Sequence, residues 1–241
     1  VSIYLHRKRL YFHVWNNKDD DGGDNNATTD TTEGNQAPWG NNGDKTNSVH
    51  AFSQELTEGQ NYVVSCIYNN FSSEPLTIYV NGEKGTPSST SAGYNQFGVG
   101  RLWGHAGRIG LGAVNDNTRF HFANGTSSDG RCAFDGKISE FISFHEPELT
   151  QARRVILENY LSGKYDIALT GSGTPQIWDL SDPEQNLFNH QIAGLGQAAD
   201  GSAHTDASGP SAIFRINNPT FNSTSSYILW GHNNEALTNT W

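Results

Sequence analysis

Residues 134–167, FDGKISEFISFHEPELTQARRVILENYLSGKYDI, join a strand-like run to one amphipathic helix, in a chain whose other apolar segments are all short. Within Lys137–Phe144, Ile138, Glu140 and Ile142 fall on one face, and Ser139, Phe141 and Ser143 on the other. A period of two predicts a strand. Pro147 stops it, and Thr150 is the predicted N-cap of the helix that follows. Ala152, Val155, Ile156 and Tyr160 recur at helical spacing, and Gly163 sits where a C-cap is expected. One helix among many short apolar runs constrains the chain to a mainly-β fold.

Composition points the same way. Charged residues are 17% of the 241, while Gly, Asn, Ser and Thr are abundant, which suits short strands joined by many turns. A length of 241 residues accommodates one large β domain or two modest ones. The 25 acidic residues against 15 basic ones give a net charge of −10 and leave no basic stripe, so nucleic acid is excluded as an expected partner. No apolar run approaches the ~20 residues that span a bilayer, so no membrane insertion is expected. The first residues read as a strand and not as a signal peptide. The two cysteines, Cys66 and Cys132, lie in strand-like regions. They either form one bridge or sit as two small buried hydrophobes.

Along the chain, Ser2–Trp15 reads as a hairpin turning at His6–Arg9. Asn16–Lys45 carries little apolar content and is dense in Asp, Asn, Gly and Thr, the mark of a functional or mobile insertion. Val49–Phe52, Asn61–Tyr68 and Leu76–Val80 read as strands. Asn81-Gly82 closes the last of them as a hairpin turn, because both turn positions require positive φ. Phe97–Gly100 and Ile109–Gly112 hold glycines inside strand patterns, which suggests bends. Thr170–Pro175 is linker-like, and Gln176–Asp179, Ile192–Gly196, Ser211–Ile216 and Tyr227–Gly231 are further short apolar runs.

These segments carry a resemblance. The strand and helix of 134–167, with NYVVSCIYNN and LTIYVNGEK upstream, resemble the laminin-G-like, concanavalin-A-like domains of bacterial surface proteins. The run Ile177-Trp178-Asp179, Asn189–Gly196 and Tyr227–His232 resemble the start of the β domain that often follows them. Two glycine-bearing candidates stand where the family has one such strand, which is a departure. The resemblance implies an all-β fold, an antiparallel jelly-roll sandwich with one edge helix, plus a partial second β domain. It divides the chain into 1–167 as the jelly roll, 168–175 as a linker and 176–241 as the second domain. It also implies one or two strands ahead of Ser2 and a second domain running past Trp241.

Catalysis is not expected. A glucanase on this fold needs two carboxylates facing across a cleft. Here Glu140 has Ile138 and Ile142 as its neighbours two residues away, and no alternating Glu/Asp/Glu strand occurs. Nor is there a nucleophile elbow, a zinc-protease helix, a phosphate loop or a Cys-x-x-Cys. The candidate metal ligands are Asp19, Asp21 and Asp24 in the acidic insertion, with Asp20 and Asp30 nearby. Their hard oxygens suit Ca²⁺, which takes about six to eight such ligands, although the calcium-loop pattern is incomplete at Asn17 and Thr28. Trp39, Tyr94, Trp103 and His105 lie in polar, glycine-rich segments, where an aromatic ring can serve as a glycan platform or cover a core edge. His145 and His232 read as turn or interface residues. Asn26, Asn70, Asn124 and Asn222 begin N-x-S/T triplets.

The expectation is therefore a non-catalytic extracellular or cell-surface protein, structural or adhesive. Its partners would be further copies of itself or other surface subunits, meeting by strand addition. The alternatives are a carbohydrate-binding adhesion module with a Ca²⁺-ordered rim and, less favoured, a glycoside hydrolase.

Overall fold

A computed structural model describes residues 2–6, 8–15, 48–69, 74, 76–87, 111–112, 134–144, 149–209, 214–233 and 235. The described residues are mainly strands in small antiparallel sheets, with two helices. The strands are β1 (Ser2–His6), β2 (Arg9–Trp15), β3 (Ser48–Phe52), β4 (Val64–Tyr68), β5 (Leu76–Val80), β6 (Glu83–Lys84), β7 (Thr86–Pro87), β8 (His190–Gln197), β9 (Ala203–His204), β10 (Asp206–Ser208), β11 (Arg215–Asn217) and β12 (Ser226–His232). The helices are α1 (Gln151–Tyr165) and α2 (Pro183–Leu187). The sheets run β1-β2-β3-β7, β4-β5-β6, β12-β8-β9 and β10-β11. The chain divides into two compact units, Val1–Thr57 with Cys66–Ile78 and Gly85–Ser143, and Glu58–Ser65 with Tyr79–Lys84 and Phe144–Trp241.

In the first unit the expected hairpin forms. Leu5 pairs with Leu10 and Ile3 with Phe12, and Lys8 takes φ 64° at the turn. Strand β3 extends it, with Tyr11 opposite Phe52 and their rings 5.6 Å apart. Tyr11, Phe12, Ala51, Leu76 and Ile78 are buried. Past the end of β3, Ser53 continues the ladder with its side chain. Its N–H donates to Leu10 O at 2.9 Å, and its hydroxyl accepts from Leu10 N at 3.0 Å. Arg9 donates to Ser53 O at 2.9 Å, so this buried serine leaves no main-chain group unanswered.

The segment 137–144 corrects the sequence reading. Residues 137–144 form no strand, and Ile138, Phe141, Ile142 and Phe144 are 50%, 54%, 39% and 53% exposed. Alternation predicts a strand only where a neighbouring strand takes up its N–H and C=O groups, and none of the described strands pairs with this segment.

In the second unit α1 lies over the β12-β8-β9 sheet. A Cβ on Gly194 of β8 would meet Ile156, and one on Gly163 of α1 would meet Ile192. Successive strand residues point to opposite faces, so Ala193 and its partner Trp230 look away from the helix. There Phe214 meets Trp230 edge to face at 5.4 Å, and β10 packs against β8. The sheet is thus covered by a helix on one face and the β10-β11 ribbon on the other, and Leu195 between them is fully buried.

Thr150 caps α1 as expected, accepting from Arg153 N at 3.4 Å. Gly163 is not the C-cap. The helix runs on to Tyr165, and Asp166 takes the left-handed conformation at φ 52°, ψ 52°. Gly163 instead makes room, because Ile192 and the Trp178 ring occupy the space of its missing side chain. The short α2 was not anticipated, although its signals are plain: Asp182 caps it, and Pro183 stands at its first position.

Candidate functional site

The site built most completely by the described residues is the polar stripe of α1. The apolar periodicity of the helix places Ala152, Val155 and Ile156 in the core, yet Arg154, Glu158, Asn159 and Ser162 are just as deeply buried. Each of these polar groups is answered. Arg154 Nη1 donates to both Glu158 oxygens at 3.2 Å and to Thr174 Oγ1, while Nη2 donates to Gly173 O at 2.8 Å. The guanidinium carbon stands 3.6 Å from the centroid of the Tyr79 ring, a close cation–π contact. Asn159 fills its whole capacity. Its amide donates to Val155 O at 2.9 Å and Pro175 O at 3.0 Å, and its oxygen accepts from Ile177 N at 2.7 Å and Trp178 N at 3.0 Å.

The partners of this stripe come from 170–178. Gln176 accepts from Leu169 N at 2.6 Å and donates to Ser162 Oγ at 3.0 Å and to Trp178 O. Gly171 N donates to Asn81 O at 3.0 Å, and Ser172 N to Glu83 Oε2 at 3.1 Å. The hairpin beneath is the Asn81-Gly82 turn read from the sequence, with φ 47° and 78°. Asn81 also exchanges bonds with Val63, giving its N–H to Val63 O and accepting from Val63 N, both at 2.8 Å. A Cβ on Gly171 would collide with the Glu83 backbone, and one on Gly82 would stand 3.1 Å from Thr174. The glycines of this segment therefore serve close backbone approach. The run Gln176–Asp179 forms no strand, since two of its N–H groups go to Asn159.

Chemically this constellation is a fastening. The Arg154 donors and the Glu158 acceptors are spent on one another and on main-chain or hydroxyl groups around them. The sequence reading missed Arg154, Glu158, Asn159, Thr174 and Tyr79. The one available signal was the Arg154/Glu158 spacing of four, which places both on one helix face.

Elsewhere in the unit, Arg215 holds the Asp206 carboxylate with two hydrogen bonds, at 2.8 and 2.5 Å, and keeps its pKa below the ordinary value. Hydrogen bonds from Ser181 do the same for Asp179. Loss of hydration, and secondarily the nearby Arg153 charge, lowers His204, with Asp206 pulling the other way.

Trp39, Tyr94, Trp103, His105, Asp19, Asp21, Asp24, His145 and Cys132 lie outside the described residues, as do Asn26, Asn70 and Asn124. Cys66 lies on β4 as a free thiol, its pKa pushed up to about 12 by burial. Asn222 is exposed in the turn before β12. Among the described residues, no group of three or more His, Cys, Asp or Glu is placed to hold a metal ion. No described helix is long and apolar enough to cross a membrane.

No protein-family model, no curated protein and no solved structure matches the chain.

Proposed function

We propose that this chain is a non-catalytic structural or adhesive protein of an extracellular surface, built on a laminin-G-like jelly roll, whose subunits join by strand addition. The observation that carries the reading is the exposed run 134–144. Phe134, Ile138, Phe141, Ile142 and Phe144 are between 39% and 54% exposed, on a segment that joins none of the described sheets. Its alternating pattern is that of a strand, and an exposed apolar strand is a template for another chain. Covering five half-exposed side chains of this size is worth roughly 1 kcal/mol apiece. The mainly-β architecture of small antiparallel sheets supports the same reading.

The test is the mass of the particle in solution over a range of concentrations, with and without EDTA. A concentration-dependent oligomer that Ile142→Asp returns to monomer supports the proposal. Dissociation by EDTA would add Ca²⁺ at the joints. A parent chain that stays monomeric at every concentration overturns assembly through this segment and leaves the glycan-binding alternative to be tested on sugar arrays.

A further inference from the structure

We propose that His190 and His232 form a two-imidazole site for a divalent transition-metal cation of the Zn²⁺ class. The two residues are register partners at the end of the β8-β12 ladder, beside the irregularity between Trp230 and His232. Such an irregularity breaks the regular alternation and re-aims the side chains next to it. The result here is two imidazole rings side by side, with centroids 5.9 Å apart and planes at 43°.

That spacing suits one metal between them. A Zn–N bond is about 2.0–2.1 Å, so each ring centroid stands about 3.2 Å from the metal, and two such rings at the tetrahedral angle lie about 5 Å apart. A modest swing of the exposed His190 ring closes the difference. Space around the pair is set by the backbone, because Gly231 lets Phe188 O and His190 O pass close to β12 where a side chain would block them. No third imidazole, thiolate or carboxylate among the described residues joins the pair. With two protein donors, water would complete the coordination of a bound ion. Imidazole donors favour Zn²⁺ and Cu²⁺ over Ca²⁺ or Mg²⁺, which separates this site from the acidic insertion.

The experiment is a calorimetric titration of the full chain with Zn²⁺ in excess Mg²⁺, which occupies hard-oxygen sites. The chain has nine histidines, so the informative quantity is the difference between variants. One saturable equivalent is expected for the parent, lost in His190→Ala and in His232→Ala. Melting temperatures without metal should be unchanged in His190→Ala, whose side chain is exposed. An identical isotherm for parent and His190→Ala overturns the proposal. Should His232→Ala fail to fold, Cu²⁺ bound to the parent gives a second readout. Two coordinated imidazole nitrogens in its electron paramagnetic resonance spectrum support the site, and fewer than two overturn it.

Discussion

Arg154 and Glu158 are 2% and 1% exposed, a depth at which an ion pair is held by geometry or not at all. Taking two charges out of water costs several kcal/mol each, and their attraction returns this only when the remaining donors and acceptors are satisfied. Thr174, Gly173 and the Tyr79 ring supply that satisfaction. Removing one partner is then far worse than removing both. Arg154→Ala strands a buried carboxylate and should cost about 3–5 kcal/mol, read as a lower urea midpoint at unchanged slope. Arg154→Met combined with Glu158→Leu keeps the volume without the charges and should recover most of that loss. A double variant as unstable as the single one would show that the helix needs the charges themselves. No reading of the sequence places these residues inside, because the rule that sends Arg and Glu to the surface holds wherever partners are lacking. Their partners sit at Tyr79 and Thr174, and only the fold brings those together.

At the scale of the element, α1 shows what a sequence conveys and what it withholds. Its existence, its N-cap at Thr150 and its apolar positions Ala152, Val155 and Ile156 were legible because they are local and periodic. The Asn81-Gly82 turn and the hairpin through Lys8 were legible for the same reason. Its end was not legible. Gly163 carries the usual mark of a C-cap but serves packing against Ile192 and Trp178, a distant requirement that no local pattern announces. An exposed interior position and a packed one predict opposite signs for one substitution. At an exposed interior position Gly163→Ala would gain about 1 kcal/mol of helix propensity. Here the new methyl meets Ile192 Cδ1 and lies 3.0 Å from Trp178 Cδ1, and overpacking of this kind costs about 1–3 kcal/mol. Gly163→Ala should therefore lower the thermal midpoint; a raised midpoint would mean that Ile192 and Trp178 give way and helix propensity decides. The strand expected over 137–144 failed for the complementary reason: periodicity is written in the chain, but a strand also needs a neighbour, and pairing is not local.

For the whole molecule, the charge balance makes acidification a contest. At pH 7 the chain carries −10, and protonating carboxylates relieves its self-repulsion, which favours the compact state. Specific groups oppose this. His204 is held below its ordinary 6.5 by lost hydration first and the Arg153 charge second, so the folded protein takes up its proton less readily than the unfolded chain does. The unfolded state then binds more protons as pH falls, and folding loses stability. That contribution is fully present above 6.5 and disappears as pH drops through the lower folded value. Asp206 and Asp179, both lowered from 3.8, repeat the pattern in a more acidic window. The histidine window opens at 6.5 and the carboxylate windows at 3.8, so one substitution isolates the first. His204→Gln leaves the charge self-repulsion of every other group in place and removes the histidine's proton linkage. Measured from pH 8 to pH 4, the melting temperatures of parent and His204→Gln should keep a constant offset above pH 7. The variant should then gain on the parent as pH falls below 6.5. Two parallel curves would mean that His204 titrates alike in both states, and acid sensitivity would then belong to the carboxylates alone.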